Sequence, residues 1–232
     1  MSRDAANAWP PPGRFPSFGL VMVTSIALAA FFALPCWAWG GAAGLLGHPA
    51  RAGAFAIIGL AAGASLFTGI NLGGCIRADA HDRWMLAPLV LLSLGIAWLP
   101  AYADRHDLAT IDGDATRDLG LALMAVGSVF RVGPMFVLGR RFTWPLASQP
   151  GHKLVTTGFY RFVRHPSYAG AFLGGIGWVL VFRSGLGLIL IALLLPAFLP
   201  VVRAEESLLM AEFGDEYAAY RRRTWRLLPF VY

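Results

Sequence analysis

The sequence has few cysteines and few charges, and each shortage excludes a class of protein. Its 232 residues include two cysteines, Cys36 and Cys75, both within apolar segments and neither part of a Cys-x-x-Cys pair. This arrangement indicates neither a disulfide framework nor a zinc site, and no other metal ligand set is apparent. Charged residues make up only 14% and hydrophobic residues 57%, with a mean hydropathy of +0.60. An ordinary soluble domain is therefore excluded as well.

Lysine is almost absent, since Lys153 is the one lysine among the 19 basic residues. The formal net charge of +6 does not indicate nucleic-acid binding, because the arginines flank apolar runs and do not alternate with exposed aromatic residues. Together with abundant alanine, glycine and proline, the preference for arginine is typical of a GC-rich genome. It favours a bacterial source, and hence the bacterial inner membrane as the location.

Six apolar segments predict membrane helices, at roughly 18–39, 52–76, 84–102, 119–138, 168–182 and 186–201. The last two are short, about 23 Å each, which predicts a tilted or partly re-entrant hairpin. From Val202 to Tyr220, apolar residues recur at three- and four-residue steps among acidic residues, which predicts an amphipathic helix at the membrane interface. The expected fold is an all-α polytopic membrane protein. It has about five to six transmembrane helices, including a C-terminal helical hairpin, plus the interfacial helix.

The distribution of charge predicts the orientation. Residues 1–17 form a polar tail, and the uncharged run 18–39 is longer than the roughly 7–15 residues of a signal-peptide core, so we expect a retained span. A cytoplasmic N-terminus leaves only Arg51, Arg105, Arg117 and Arg183 on the outer side, in agreement with the positive-inside rule. Both termini and the segment 139–167 are then expected to face the cytoplasm.

Polar residues are concentrated at 151–170, between two apolar segments, and this density at a membrane border indicates a site. The segment contains the run His-Lys-Leu-Val-Thr-Thr-Gly-Phe-Tyr at 152–160 and the run Arg-His-Pro-Ser-Tyr at 164–168. Arg203-x-Glu205-Glu206 and Phe-Gly-Asp-Glu-Tyr at 213–217 follow, and Gly-Ser-Val-Phe-Arg at 127–131 precedes. In this order the motifs resemble the isoprenylcysteine carboxyl methyltransferase family from Gly120 to Pro229. The first three predicted spans show no specific match.

The resemblance implies an enzyme that moves a methyl group from S-adenosylmethionine to a carboxylate and leaves S-adenosylhomocysteine. It implies accessory helices at 18–116, a catalytic core at 117–232 with a cytoplasmic cofactor pocket, and a lipophilic or prenylated substrate reached from the membrane lipids. The segment 142–152 is shorter than in eukaryotic members, and Gln149 is a possible substitute for a polar residue they have there. The implied cofactor-binding residues are Gln149, His152, Lys153, Leu154, Val155, Tyr160, His165, Pro166, Ser167, Tyr168, Glu205 and Glu206.

Methyl transfer to a carboxylate needs no general base, because the carboxylate is already ionised at neutral pH. It needs a cation to hold the acceptor, and Arg203 and Arg131 are the candidates. Arg131 lies within a predicted span, where a charge is costly enough to suggest a function, although its side chain could also extend to the interface.

Plainer interpretations of the same residues remain open. Tyr160 and Tyr168 could be interfacial aromatics, Arg164 could serve topology alone, and Arg203 and Glu206 could form a surface pair. Two other functions also remain open. A phospholipid amine N-methyltransferase would need a base such as His165, and a membrane scaffold or transporter would bind no S-adenosylmethionine.

Overall fold

The computed structural model describes residues 16–68, 80–138 and 154–227, with side chains from Ala87 onward in the second range. Helices and the turns between them make up almost all of these residues, and no strand occurs among them. The α-helices are α1 (Phe18–Trp39), α2 (Ala42–Leu46), α3 (Pro49–Ser65), α4 (Ala80–Arg105), α5 (Asp114–Leu138), α6 (Pro166–Val181) and α7 (Gly185–Arg222). A single 3-10 turn spans Gly158–Arg161 in this described part.

Four of the described helices, α1, α4, α5 and α7, are long and apolar enough to cross a membrane. The apolar helix α6 is shorter, with 16 residues. The predicted all-α polytopic membrane fold is therefore confirmed. Helix α3 begins at Pro49, because the His48 side chain accepts a hydrogen bond from the backbone N–H of Ala50 and proline suits a first helical turn. It ends at Ser65, short of the expected end at residue 76, and residues 69–76 lie outside the described residues.

The C-terminal helix differs most from its predicted boundaries. The predicted segments 186–201 and 202–220 are not divided at residue 201, because the helix that begins at Gly185 continues without a break across that boundary. Pro196 and Pro200 lie inside it without ending it. Its interruption comes at Gly214, whose φ of 49° and ψ of −121° suit glycine and no other residue. The acidic pair Glu205–Glu206 therefore continues the helix that begins as an apolar span.

Helices α5 and α6 pack with their backbones in contact. A Cβ atom added to Gly127 on α5 would lie 2.5 Å from the backbone nitrogen of Gly174, and one added to Gly177 would lie 2.5 Å from the carbonyl oxygen of Gly120. Small residues permit this approach between membrane helices. A Cβ on Gly170 would likewise overlap the backbone of Arg131. The helix pair thus places Arg131 against the first turn of α6.

The opposite end of these helices is held by a buried ionic cluster that the sequence analysis missed. The Asp104 carboxylate, whose side chain is 0% exposed, accepts hydrogen bonds from Arg51 at 3.2 Å and from Arg117 and Arg183 at 2.9 Å each. The cluster ties α3, α4, α5 and the turn before α7. A buried charge is tolerated when it is paired in this way. Three of the four arginines expected outside therefore act as internal partners of one carboxylate.

Candidate cofactor and acceptor site

The site forms around His165, the residue directly before α6. Its imidazole is buried, with Nδ1 3.6 Å from Glu205 Oε2 and Nε2 3.5 Å from Glu206 Oε1. The ring stacks on Tyr168 at 5.6 Å between centroids, with 11° between the planes. The hairpin of α6 and α7 thus brings together two motifs that are about 40 positions apart in the sequence.

Charge around His165 favours its protonated form. Burial would lower the pKa of the imidazole, but the carboxylates of Glu205 and Glu206 more than offset this effect and raise the pKa above its ordinary value. The imidazole therefore lies between the two acids, with one ring nitrogen facing each carboxylate.

The loop 162–165 is covered by residues 223–227, here called the C-terminal strap. The two segments run parallel. The N–H of Arg164 donates to the carbonyl of Trp225 at 2.8 Å, and the N–H of Trp225 donates to the carbonyl of Phe162 at 2.9 Å. The N–H of His165 donates to the carbonyl of Arg226 at 3.1 Å. The strap therefore fixes the backbone on which His165 is carried.

Side chains strengthen this attachment through Glu206. The Arg164 Nε donates to Glu206 Oε1 at 2.9 Å, and the Arg226 Nη2 donates to Glu206 Oε2 at 2.6 Å. Arg164 also donates to the carbonyl oxygens of Arg221 and Thr224. Arg164 is thus an internal contact and more than a topogenic charge. The surface pair of Arg203 with Glu206 considered above does not form, because both Glu206 oxygens face other partners.

The two candidate acceptor-binding arginines lie in different surroundings. Arg131 Nη1 donates to the Ser167 hydroxyl at 2.9 Å, and this hydroxyl donates back to the Arg131 carbonyl at 3.1 Å. No carboxylate among the described residues pairs with Arg131, whose guanidinium lies beside Ser167. Arg203 is exposed on α7 and makes no ion pair within the described ranges. The structure therefore brings Arg131, but not Arg203, into contact with the predicted site residues.

The structure describes some of the remaining predicted residues but not all of them. Leu154 and Val155 are half-buried in the segment before the 3-10 turn, and Pro166 is buried in the first turn of α6. Gln149, His152 and Lys153 lie outside the described residues. Tyr160 is buried, and its carbonyl accepts a hydrogen bond from the Tyr220 hydroxyl at 2.7 Å. Burial, and then the Glu205 charge, raise the pKa of the Tyr160 hydroxyl, which keeps it neutral.

Tyr168 is more enclosed than a free stacking surface. One ring face is covered by His165, and Phe198 of α7 packs edge-on against the ring at 4.9 Å between centroids. The interpretation of Tyr168 as an interfacial aromatic does not fit this burial. Its ring packs against the imidazole of His165.

Some buried polar atoms around this loop have no hydrogen-bond partner within the described part of the chain. Among them are Glu205 Oε2, His165 Nε2 and the hydroxyl of Tyr217. Such atoms cost free energy unless a ligand or water satisfies them. Tyr217 was not among the predicted site residues, although it stands in the Phe-Gly-Asp-Glu-Tyr motif. The positive φ of Gly214, three residues earlier, redirects the helix that carries it.

These features define a polytopic α-helical membrane protein with a polar site at the ends of two neighbouring helices. Residues 120–211 match the model of the isoprenylcysteine carboxyl methyltransferase family. The C-terminal half of the chain therefore carries the region that the family model describes, and the resemblance seen in the motifs is confirmed.

The similarity to individual relatives also covers about half of the chain. The chain is 32% identical over 114 residues to the protein-S-isoprenylcysteine O-methyltransferase of Schizosaccharomyces pombe, covering 48% of each. It is 34% identical over 115 residues to the enzyme of the same name from Mus musculus, covering 48% of this chain and 41% of that protein. The matched region thus spans about half the length of these relatives or less.

A solved structure is similar over much more of the chain. It is that of the eukaryotic intramembrane Ras methyltransferase ICMT, with a TM-score of 0.58 and 17% identity. The superposition covers 91% of this chain and 77% of that one. At this identity the similarity shows a shared fold, and it includes the N-terminal helices, for which the sequence motifs gave no match.

Proposed function

We propose that the chain is a membrane methyltransferase that transfers a methyl group from S-adenosylmethionine to the carboxylate of a lipophilic, isoprenylcysteine-like acceptor. The observation that carries the proposal is the meeting of Arg164, His165 and Tyr168 with Glu205 and Glu206 inside the region that matches the family. The names of the relatives support the same activity, although this chain matches only part of each relative.

The residues present fit the proposed cofactor. Its ammonium group and ribose diol are hydrogen-bond donors, and the buried Glu205 Oε2 is an acceptor with no partner in the described ranges. The backbone groups of Leu154 and Val155 suit the edges of an adenine, and Gln149, His152 and Lys153 are proposed to complete the pocket. When bound, the cofactor supplies an electrophilic methyl group on a sulfonium.

The protein's contribution to the reaction is to place and desolvate a carboxylate. The acceptor arrives ionised, so the site needs no proton transfer. Arg131 can hold a carboxylate through two parallel hydrogen bonds, which fixes the orientation of the attacking oxygen. The apolar surroundings of α5 and α6 exclude water from the carboxylate and increase its reactivity. Arg203 remains a second, more exposed candidate for the same role.

We further propose that the site and both termini face the cytoplasm of a bacterial inner membrane. On this proposal residues 1–17 are a polar tail, 18–116 are accessory helices and 117–232 are the catalytic core. The buried Asp104 cluster holds three of the expected outer arginines at the end of the bundle away from His165, which fits the expectation that they and the site lie on opposite sides of the membrane.

The test is methyl transfer with the purified protein in detergent and radiolabelled S-adenosylmethionine. Acceptors are S-farnesyl cysteine, phosphatidylethanolamine and a bacterial lipid extract, each supplied separately. Label on S-farnesyl cysteine is expected. Label on phosphatidylethanolamine alone would favour the amine N-methyltransferase, and absence of cofactor binding would leave a scaffold or transporter as the function.

A further inference from the structure

The two adjacent glutamates at the site have different partners, although the motif presents them as a pair. Both oxygens of Glu206 are occupied, Oε1 by Arg164 at 2.9 Å and Oε2 by Arg226 at 2.6 Å. Glu205 faces His165 at 3.6 Å, and its Oε2 is buried without a hydrogen-bond partner in the described residues. Glu206 therefore has an arginine partner on each oxygen, whereas Glu205 has none among the described residues.

We propose that Glu206 is a positioning residue that clasps the C-terminal strap onto the loop 162–165 and does not itself contact the cofactor, so that of the two acids Glu205 keeps the contact that the family resemblance implies. The proposal rests on the proposed function and deepens it by dividing the acidic pair. It departs from the simpler expectation that both acids are cofactor ligands.

The geometry explains how Glu206 acts at a distance from the ligand. Its two arginine partners come from the two segments that lie side by side, Arg164 from the loop and Arg226 from the strap. One carboxylate bridging both cations thus ties the strap to the loop, in addition to their backbone hydrogen bonds. Because the next loop residue is His165, loss of the bridge loosens the imidazole that faces Glu205.

Glu205 has the properties of a ligand contact. Its carboxylate has no arginine partner among the described residues, so its charge is left for His165 and for a donor on the ligand. A buried oxygen without a hydrogen-bond partner gains more from a donor on a ligand than an oxygen that already accepts a hydrogen bond from the protein. The donor is a hydrogen-bonding group of the cofactor, either the ammonium or the ribose diol.

The test compares two ligands by calorimetry on the full-length protein in detergent. S-adenosylmethionine carries both donors, whereas 5′-methylthioadenosine retains the diol and lacks the amino-acid group. Glu205→Gln should weaken S-adenosylmethionine binding about tenfold or more, since hydrogen bonds to charged groups are the strong ones. If the ammonium is the donor, 5′-methylthioadenosine affinity stays unchanged, and if the diol is the donor, it falls as well.

Glu206→Gln should weaken both ligands by the same factor, because it acts through the loop. Arg226→Gln should have the same effect, the double variant Glu206→Gln with Arg226→Gln should be no weaker than either alone, and Arg226→Lys should restore most of the affinity. These partner variants keep the test decisive if Glu206→Gln does not fold.

The outcomes separate this proposal from the function beneath it. If wild-type protein does not bind S-adenosylmethionine, the proposed function fails. If wild type binds, the division of roles is overturned when Glu205→Gln leaves both affinities unchanged. It is equally overturned when Glu206→Gln leaves both affinities unchanged, or weakens S-adenosylmethionine binding while 5′-methylthioadenosine binding stays the same. The same holds when the double variant with Arg226→Gln binds more weakly than either single variant.

Discussion

Arg131 offers the sharpest test of how the acceptor is held. Replacing it with alanine removes a guanidinium that has no carboxylate partner in the described part of the chain and that touches the site through Ser167. The Ser167 hydroxyl keeps its 3.1 Å bond to the Arg131 carbonyl, so the contact between α5 and α6 should persist. The loss is then confined to the acceptor. A hydrogen bond to a charged group contributes about 1.5–3 kcal/mol, so kcat/KM for the acceptor should fall roughly 10- to 150-fold.

Steady-state kinetics with each substrate varied in turn is the assay for Arg131→Ala. We expect a higher KM for the acceptor and unchanged affinity for S-adenosylmethionine, with Arg131→Lys recovering only part of the loss because a point charge cannot bond both oxygens. Arg203→Ala is the matched control, since that arginine is exposed and contacts no site residue within the described ranges. An unchanged acceptor KM in Arg131→Ala, together with a raised one in Arg203→Ala, would refute the assignment of Arg131.

Three further predictions concern charge and orientation. Asp104→Asn should lower the free energy of unfolding by about 3–5 kcal/mol, because three arginines lose their buried carboxylate. Chemical denaturation in detergent measures this loss. Asp107→Asn is the control, and because Asp107 is exposed it should lower the free energy of unfolding by less than about 1 kcal/mol. His165→Gln should remove a contribution to stability that is complete below pH about 6.5 and disappears as pH rises through the raised pKa of the folded state. The difference in denaturation temperature between wild type and variant should therefore become smaller as the pH rises, and a difference that does not change with pH would contradict this. Single cysteines at Gly113 and Gly151, in a chain without Cys36 and Cys75, should react with an impermeant maleimide from opposite sides of the membrane, and labelling from one side would contradict the topology.

The apolar spans could be predicted from the sequence because soluble proteins rarely contain uncharged runs of membrane-spanning length. The ends of α3 and α7 were harder to predict from the sequence. The His48 cap and Pro49 start α3 three residues before the expected residue 52, and beyond Pro200 the helix α7 packs Val202 into the cluster that contains Tyr168. Helix propensity and periodicity do not register such contacts.

The site shows the same division between local and long-range information. The ordered motifs predicted a common site for the His165 loop and the Glu205–Glu206 pair, and in the structure the imidazole lies 3.6 Å from Glu205 and 3.5 Å from Glu206. The partner of each charge could not be predicted, because Arg164 and Glu206 are 42 positions apart, and Arg51 and Asp104 are 53 apart. Charges that flank apolar runs look topogenic in the sequence whether they end in solvent or in a buried ion pair.

The chemical form of the transferred methyl group tests the central claim most directly. Purified protein is incubated with radiolabelled S-adenosylmethionine and S-farnesyl cysteine, and the recovered product is treated with mild alkali. A methyl ester releases its label as volatile methanol under this treatment, whereas an N-methyl amine does not. The account predicts that most of the label is volatile and that the Arg131→Ala variant forms little of it. Label that resists alkali, or labelling that does not require the acceptor carboxylate, would contradict carboxyl methylation.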